Sequence, residues 1–288
     1  MSTIQETWRR GETTLAQAGT ENPRLDAQIL FCFAMHIERS VLYAYPERVV
    51  SPEQEQYYLT LIERRRQHEP IAYITGHKEF YSLDFCIDSR VLIPRPETEL
   101  LVEAALTSIN RRLSAGQVPI VADIGTGSGA IPVTIAVAEL RLPYIYACDI
   151  SADALEVART NARRLHVEER IRFLRGDLIT PLPESVDLLL ANLPYVGTDE
   201  KASMAEDVLA YEPHQALFSG PDGQDLLRQF CIDVQRSGTL HIASEMILEI
   251  GYQQGEAVVQ LIRELWPQAS VVVRKDYAGF DRLVLVSI

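Results

Sequence analysis

Cysteine is scarce in this chain. The four present, Cys32, Cys86, Cys148 and Cys231, lie too far apart to frame a disulfide scaffold. None forms a C-x-x-C pair, which removes a zinc ribbon. The six histidines show no ligand spacing on a shared helix face, so no resident metal is expected. No apolar run reaches the roughly 20 residues that a membrane-spanning helix needs. Met1-Ser2-Thr3-Ile4-Gln5-Glu6 has no apolar core of a signal peptide. Together these absences predict a soluble cytoplasmic protein with reduced thiols and no membrane partner. A basic excess is missing too. The net charge is −13, and residues 1–68 hold eight arginines against nine acids. Nucleic-acid binding through phosphates needs the opposite balance, so no direct nucleic-acid partner is expected. Arg64-Arg65-Arg66, the one basic cluster, reads as a solvated helix end because successive helical residues diverge.

What is present changes character along the chain. In residues 1–68, Leu25, Ile29, Leu30, Phe33 and Ile37 recur at helical spacing. Ser51-Pro52-Glu53 has the form of an N-cap followed by Pro at the first helical position. A small helical domain of four or five short helices is the reading. Tyr43, Tyr45, Tyr57 and Tyr58 are either core or part of a surface that meets a partner. Residues 69–94 turn aromatic and β-branched and predict a β-hairpin linker, with 72–76 counted among its extended stretches. From 95 to 288, strands at 119–124, 144–149, 171–175, 186–191, 246–250, 270–274 and 283–288 alternate with helices. That alternation means a parallel, doubly wound α/β sheet. Only Lys275–Arg282 separate the last two strands, too few for a crossover helix, so they should pair antiparallel. A Rossmann-like sheet with an antiparallel C-terminal strand fits a class I methyltransferase better than a dinucleotide dehydrogenase.

The chemistry gathers at strand ends. Val121-Ala122-Asp123-Ile124 runs into Gly125-Thr126-Gly127-Ser128-Gly129, a strand, a glycine turn and a helix start. Gly125 and Gly127 let backbone approach a ligand, and Gly129 is expected to let the helix pack closely on the sheet. Asp149 ends the second strand, where a carboxylate accepts both ribose hydroxyls of an adenosine. The G-x-G-x-x-A spacing also satisfies a dinucleotide fingerprint. Two acids oppose that reading. Asp123 sets a negative charge where a pyrophosphate would lie and suits a cationic sulfonium. Asp177, after the third strand, can reach an adenine amino group, with Leu178 against the ring. S-adenosylmethionine is the cofactor these residues predict.

Asn192-Leu193-Pro194-Tyr195 closes the fourth strand. A planar amide or aromatic amine is a poor nucleophile because its lone pair is delocalised. Acceptors that take its two N–H hydrogens aim the lone pair and stabilise the charge developing on nitrogen. The Asn192 side-chain oxygen and the Leu193 carbonyl are the candidate acceptors. Pro194 fixes the turn, and Tyr195 is expected to stack on the planar group.

The chain resembles the HemK/PrmC protein-(glutamine-N(5)) methyltransferases. The resemblance is carried by Glu69-Pro70-Ile71-Ala72-Tyr73-Ile74-Thr75-Gly76, by Arg95-Pro96-Glu97-Thr98-Glu99 and by the glycine loop. It continues in Tyr211-Glu212-Pro213, Ala216-Leu217-Phe218-Ser219-Gly220, Leu248-Glu249-Ile250-Gly251 and Lys275–Arg282. It implies that Gly125 to Gly129, Asp149, Leu178 and Asn192 line the cofactor pocket, and that residues 192–195 grip the Gln of a Gly-Gly-Gln loop in peptide chain release factors. One position departs: the family's Asn-Pro-Pro-Tyr is here Asn-Leu-Pro-Tyr, a form shared with rRNA adenine dimethyltransferases. Those enzymes place a helical domain after the catalytic one, whereas this chain ends on a predicted strand. A catalytically degenerate binding module is the third reading. Against it, a backbone carbonyl at 193 is supplied by Leu as well as by Pro.

Overall fold

The computed structural model describes residues 2–288, which divide into two compact units. The first is the chain up to His77 together with Met204–Tyr211. It contains α1 (Ile4–Gln17), α2 (Pro23–Met35), α3 (Arg39–Ala44), α4 (Pro52–Arg66) and α5 (Ile71–Thr75). Caps explain where these helices start. Thr3 and Ser51 each close a capping box with the residue three positions on, Glu6 and Gln54, and Pro52 opens α4. The stretch 71–75 is helical, not extended as its β-branched content predicts. Pro70 precedes its first turn and Gly76 ends it in the left-handed region, the Pro-before, Gly-after punctuation of a helix.

The unit's core includes Trp8, Leu15, Leu30, Phe31, Tyr58 and Ile62. Tyr58 is therefore core, its ring edge-on to Phe31, while Tyr43, Tyr45 and Tyr57 are exposed. The arginine run also differs from a solvated helix end. Arg65 is nearly buried and pairs with Asp26 at 2.7 Å, whereas Arg64 forks onto Glu69 and Arg66 onto Glu63. The divergence of neighbouring helical side chains sends one of the three inward.

Gly11 in α1 faces Tyr58. A Cβ there would stand 2.7 Å from the Tyr58 ring carbon Cζ and 2.9 Å from Ile62 Cδ1. The hydroxyl cannot swing away freely, because it is set 3.3 Å from both the Trp8 and Ala27 carbonyls. Helix propensity alone favours Gly11→Ala by about 1 kcal/mol. Overpacking a filled core costs about 1–3 kcal/mol. The second effect wins, so Gly11→Ala is expected to lower the urea midpoint; an unchanged or raised midpoint would show that the helices have slack here.

The second unit comprises Lys78–Ser203 and Glu212–Ile288. A hairpin, β1 (His77–Phe80) and β2 (Leu83–Cys86), turns at Tyr81 and Ser82, both at positive φ. Its loop is steadied by Tyr81 N–H donating to Glu99 Oε1 at 2.9 Å. The hairpin expected here is thus present, though shorter than the whole 69–94 stretch. Then come α6 (Glu99–Ser114), β3 (Val121–Ile124), α7 (Ala130–Ala138), β4 (Ile145–Asp149), α8 (Ala152–Arg164), β5 (Ile171–Arg175) and β6 (Val186–Ala191). After β6 the chain leaves for the first unit as α9 (Glu206–Tyr211). There Tyr211 donates to the Gln67 carbonyl at 2.7 Å and Asp207 stands 3.7 Å from Arg65. It resumes with α10 (Asp225–Ser237), β7 (Leu240–Glu249), α11 (Gly255–Leu265), β8 (Ser270–Lys275) and β9 (Asp281–Ser287).

The seven sheet strands run in the order β5-β4-β3-β6-β7-β9-β8. Only β9 is antiparallel, to both β7 and β8. From β3 the chain moves outward to β4 and β5, then returns to lay β6 on the other side of β3. That reversal is a topological switch point, and in open α/β sheets it opens a crevice at the strand C-termini. Register puts Ile124 opposite both Cys148 and Ala191. Gly125, Asp149 and Asn192 therefore emerge at one edge. No helix among the described residues is long and apolar enough to cross a membrane. Among the described residues there is also no group of three or more His, Cys, Asp or Glu side chains placed to hold a metal.

Candidate active site

A cavity of about 690 Å³ opens at this edge, within the second unit. Its floor is the glycine turn. Gly125 and Thr126 both donate to the Cys148 carbonyl at 2.9 Å, which folds the turn back over β4. Gly125 and Gly127 sit at φ +75° and +53°, the left-handed region that side chains resist. A Cβ on Gly127 would meet only the Gly125 carbonyl, at 4.0 Å, so its backbone is bare toward the cavity.

Asp149 fastens the second strand end to this turn. Its Oδ2 accepts from Gly127 N–H and its Oδ1 from Ser151 N–H, each at 2.9 Å. Burial raises its pKa, and these backbone donors pull it back down. One bond per oxygen leaves lone pairs for a ligand's hydroxyls. Beyond β5, Asp177 is exposed while Leu178 is buried at φ +45°. A bulky residue in that region carries strain of about 1–3 kcal/mol, a cost that clusters where a side chain must be aimed.

On the far wall stands Asn192. Its Nδ2 donates to Thr98 Oγ1 at 3.1 Å, which leaves Oδ1 as the uncommitted acceptor of a side chain that lines the cavity. Thr98 belongs to the 3₁₀ turn Pro96–Thr98. That turn is moored by Arg95, which pairs at 2.6 Å with the buried Glu212, whose other oxygen accepts from Ile93 N–H at 3.2 Å. Leu193 is buried, and its Cδ2 would stand 3.1 Å from a Cβ on Gly125. The space above that glycine is thus filled by Leu193. The Tyr195 carbonyl accepts from Gln254 Nε2 at 2.9 Å, and its hydroxyl donates to Glu249 Oε1 at 3.4 Å.

Two family descriptions match the chain: PrmC N-terminal domain over residues 6–76 and methyltransferase small domain over residues 98–222. A release factor glutamine methyltransferase of Moorella thermoacetica is 39% identical over 284 residues, covering 98% of each chain. One of Koribacter versatilis is 36% identical over 285 residues, again covering 98% of each. The chain belongs to the release factor glutamine methyltransferase family. Among solved structures, the hMettl16 catalytic domain in complex with MAT2A 3′UTR hairpin 1 aligns with a TM-score of 0.56. The alignment covers 95% of this chain and 90% of that one at 14% identity, a likeness of fold alone. The fold is that of a class I methyltransferase, with the helical unit before it.

In this methyltransferase Gly125, Thr126, Gly127, Ser128, Asp149, Asp177, Leu178, Asn192, Leu193 and Pro194 all line the cavity. Asp123, Gly129 and Tyr195 are not among its lining residues. Asp123 lies on the interior strand β3, wholly buried, with neither carboxylate oxygen hydrogen-bonded. Desolvation pushes its pKa up to about 7. Its charge can act on a ligand only through the turn, not by contact. Gly129 serves helix packing on a neighbour other than the sheet: a Cβ there would press on α8, at 3.0 Å from Ala158 Cβ. The Tyr195 hydroxyl donates to Glu249. Sequence reading gave no role to Thr98, Glu212, Glu249 or Gln254. All but Gln254 lie in motifs quoted above, and an acid inside an apolar strand run, as in Ile247-Leu248-Glu249-Ile250, was the available signal.

Proposed function

We propose that the protein methylates the side-chain amide nitrogen of the glutamine in the Gly-Gly-Gln motif of peptide chain release factors, with S-adenosylmethionine as methyl donor. The observation that carries this reading is the fixed Asn192 amide, whose Nδ2 is occupied by Thr98 while Oδ1 remains free to accept. A glutamine side-chain amide presents two N–H hydrogens. Asn192 Oδ1 takes one and the Leu193 carbonyl the other, which turns the nitrogen lone pair out of the plane of its donors. S-adenosylmethionine, when bound, supplies an electrophilic methyl group on a sulfonium sulfur. The bare Gly127 backbone, the Asp149 lone pairs and the Leu178 side chain suit its amino-acid portion, ribose and adenine in turn. The acids around the cavity suit its positive charge. As charge grows on the substrate nitrogen, the two acceptors hold the hydrogens that become acidic, and one of these protons leaves to solvent. No strong base is required.

Incubation with labelled S-adenosylmethionine and either a release factor or rRNA tests the proposal. Label is expected on the release factor and should vanish when the motif glutamine is replaced. Label on RNA alone would replace this reading with a nucleic-acid one, and label on neither would leave a binding module. Release factor substrate, soluble cytoplasmic location and the roles of residues 192–195 belong together in this reading.

A further inference from the structure

The Leu193 carbonyl, the second acceptor assigned to the substrate amide, is a backbone group, so the chain around it sets its direction. A peptide plane turns by opposite changes in ψ before it and φ after it. Pro194 follows this plane, and its ring holds φ at about −65°. The Leu193–Pro194 plane can therefore turn only if the chain beyond Pro194 moves with it. Whatever fixes Tyr195 and Val196 aims the Leu193 carbonyl.

Val196 is held by backbone. Its N–H donates to the Leu217 carbonyl and its own carbonyl accepts from Ser219 N–H, each at 3.0 Å. The 217–219 stretch is tied in turn to α10, where Leu226 N–H donates to Ser219 Oγ at 2.7 Å. Tyr195 is held by a side chain. Its hydroxyl reaches Glu249 only at 3.4 Å, whereas its carbonyl takes a 2.9 Å bond from Gln254.

Gln254 is buried at the N-cap position of α11. Glutamine is not a favoured N-cap residue, and this side chain makes no cap hydrogen bond. It joins three segments instead. Nε2 donates to the Tyr195 carbonyl at 2.9 Å and to the Asp222 carbonyl at 3.4 Å, while Oε1 accepts from Gly251 N–H at 2.9 Å. All three partners are backbone groups whose donor or acceptor sense is fixed, so the amide has one orientation. Gly223 makes the room. It sits at φ +77°, and a Cβ there would stand 2.7 Å from the Tyr195 carbonyl carbon and 2.9 Å from Gln254 Nε2. Neither Gln254 nor Gly223 lines the cavity.

We propose that Gln254 is a positioning residue for methyl transfer: it clamps the far end of the Asn-Leu-Pro-Tyr turn to the chain just past β7, with Gly223 as the seat, and so aims the Leu193 carbonyl at the substrate amide. Thr98 holds the near end through Asn192. The turn is thus held at both ends, with one support for each acceptor.

This inference rests on the proposed function, but one of its readouts does not. Tyr195-Val196 is the only Tyr-Val step in the sequence, so ¹³C-carbonyl tyrosine with ¹⁵N valine isolates a single carbonyl resonance. Gln254→Met keeps the side-chain length and removes every bond of the clamp, and should move that resonance upfield. In the transfer assay its kcat should fall about 10-fold, the cost of a small misalignment of one acceptor. KM for the release factor and calorimetric affinity for S-adenosylhomocysteine should stay within about twofold, a split that loss of folded structure would not give. Gly223→Ala should act in the same way by pressing on the carbonyl. Combining it with Gln254→Met should cost little more than either alone, because both release one clamp. If Gln254→Met does not fold, Gly223→Ala decides. A resonance that stays in place, or one that moves while kcat holds, would overturn the inference. So would a parallel loss of S-adenosylhomocysteine affinity, which would mark a general structural role. Wild-type protein whose carbonyl resonance responds to these variants but which transfers no methyl to the release factor glutamine would instead overturn the proposed function alone.

Discussion

Asn192→Ala is expected to lower kcat by about 10²–10³-fold, with the KM for the release factor little changed. The side chain lies past the end of β6, so its loss removes no ladder hydrogen bond. It removes the acceptor proposed for the substrate amide and leaves Thr98 without its donor. Removing one preorganised hydrogen-bonding group from a dry transfer site costs about 2.7–4 kcal/mol in the transition state. Ground-state binding of a whole protein substrate draws on many other contacts, so KM should move far less than kcat. Steady-state kinetics at saturating cofactor would check this. A kcat within threefold of wild type would mean that the Asn192 oxygen is not the acceptor that matters.

Asp123→Asn should make the protein more stable and a poorer binder of its cofactor. The carboxyl has no hydrogen bond and no exposed surface, and its pKa rises from 3.8 to about 7. A group whose folded pKa lies above its unfolded value stabilises the fold fully only below the unfolded value. That contribution is lost as pH rises through the folded one. For Asp123 the window is therefore about pH 4 to 7, and above it the penalty is complete. At about 1.4 kcal/mol per pKa unit the penalty is on the order of 4 kcal/mol, and asparagine does not incur it. Thermal unfolding followed across pH should show the variant gaining on wild type between pH 4 and 7 and keeping a constant advantage above. Glu249 contributes in the same direction in both proteins and cancels in the difference. Calorimetric binding supplies the other half. Affinity for S-adenosylmethionine should fall more than affinity for S-adenosylhomocysteine, which lacks the sulfonium charge. Equal losses would show that Asp123 supports the turn mechanically rather than electrostatically.

The parts of the fold legible in sequence were those written in period and punctuation. Buried strands such as Leu188-Leu189-Leu190 and the glycine turn are local statements, and the structure places them at the expected edge. The short gap before β9 was enough to fix its antiparallel pairing. What escaped depends on depth and pairing. Asp123 and Asp149 both stand near strand ends and on one face, yet only Asp149 reaches the cavity, because Asp123 lies opposite Ala147, two positions deeper in the sheet. The start of β7 at Leu240 was missed because Ala243 sits at φ +66° and the pairing with β6 shifts register between Val186 and Leu188, which breaks the period-two pattern. Thr98 and Asn192 lie 94 positions apart in the chain and meet only once the protein is folded.

The excursion of the chain into α9 bears on how this protein can be dissected. A fragment beginning at the hairpin would still carry Met204–Tyr211, now with no Arg65 for Asp207 and no Gln67 carbonyl for Tyr211. Such a fragment would expose a short helix whose companions had been deleted, directly before the Glu212 that moors Arg95. A soluble catalytic core would need that loop shortened as well as the N-terminus removed. Conversely, the first 77 residues expressed alone would lack one of their own helices, so neither half is recovered by a single cut.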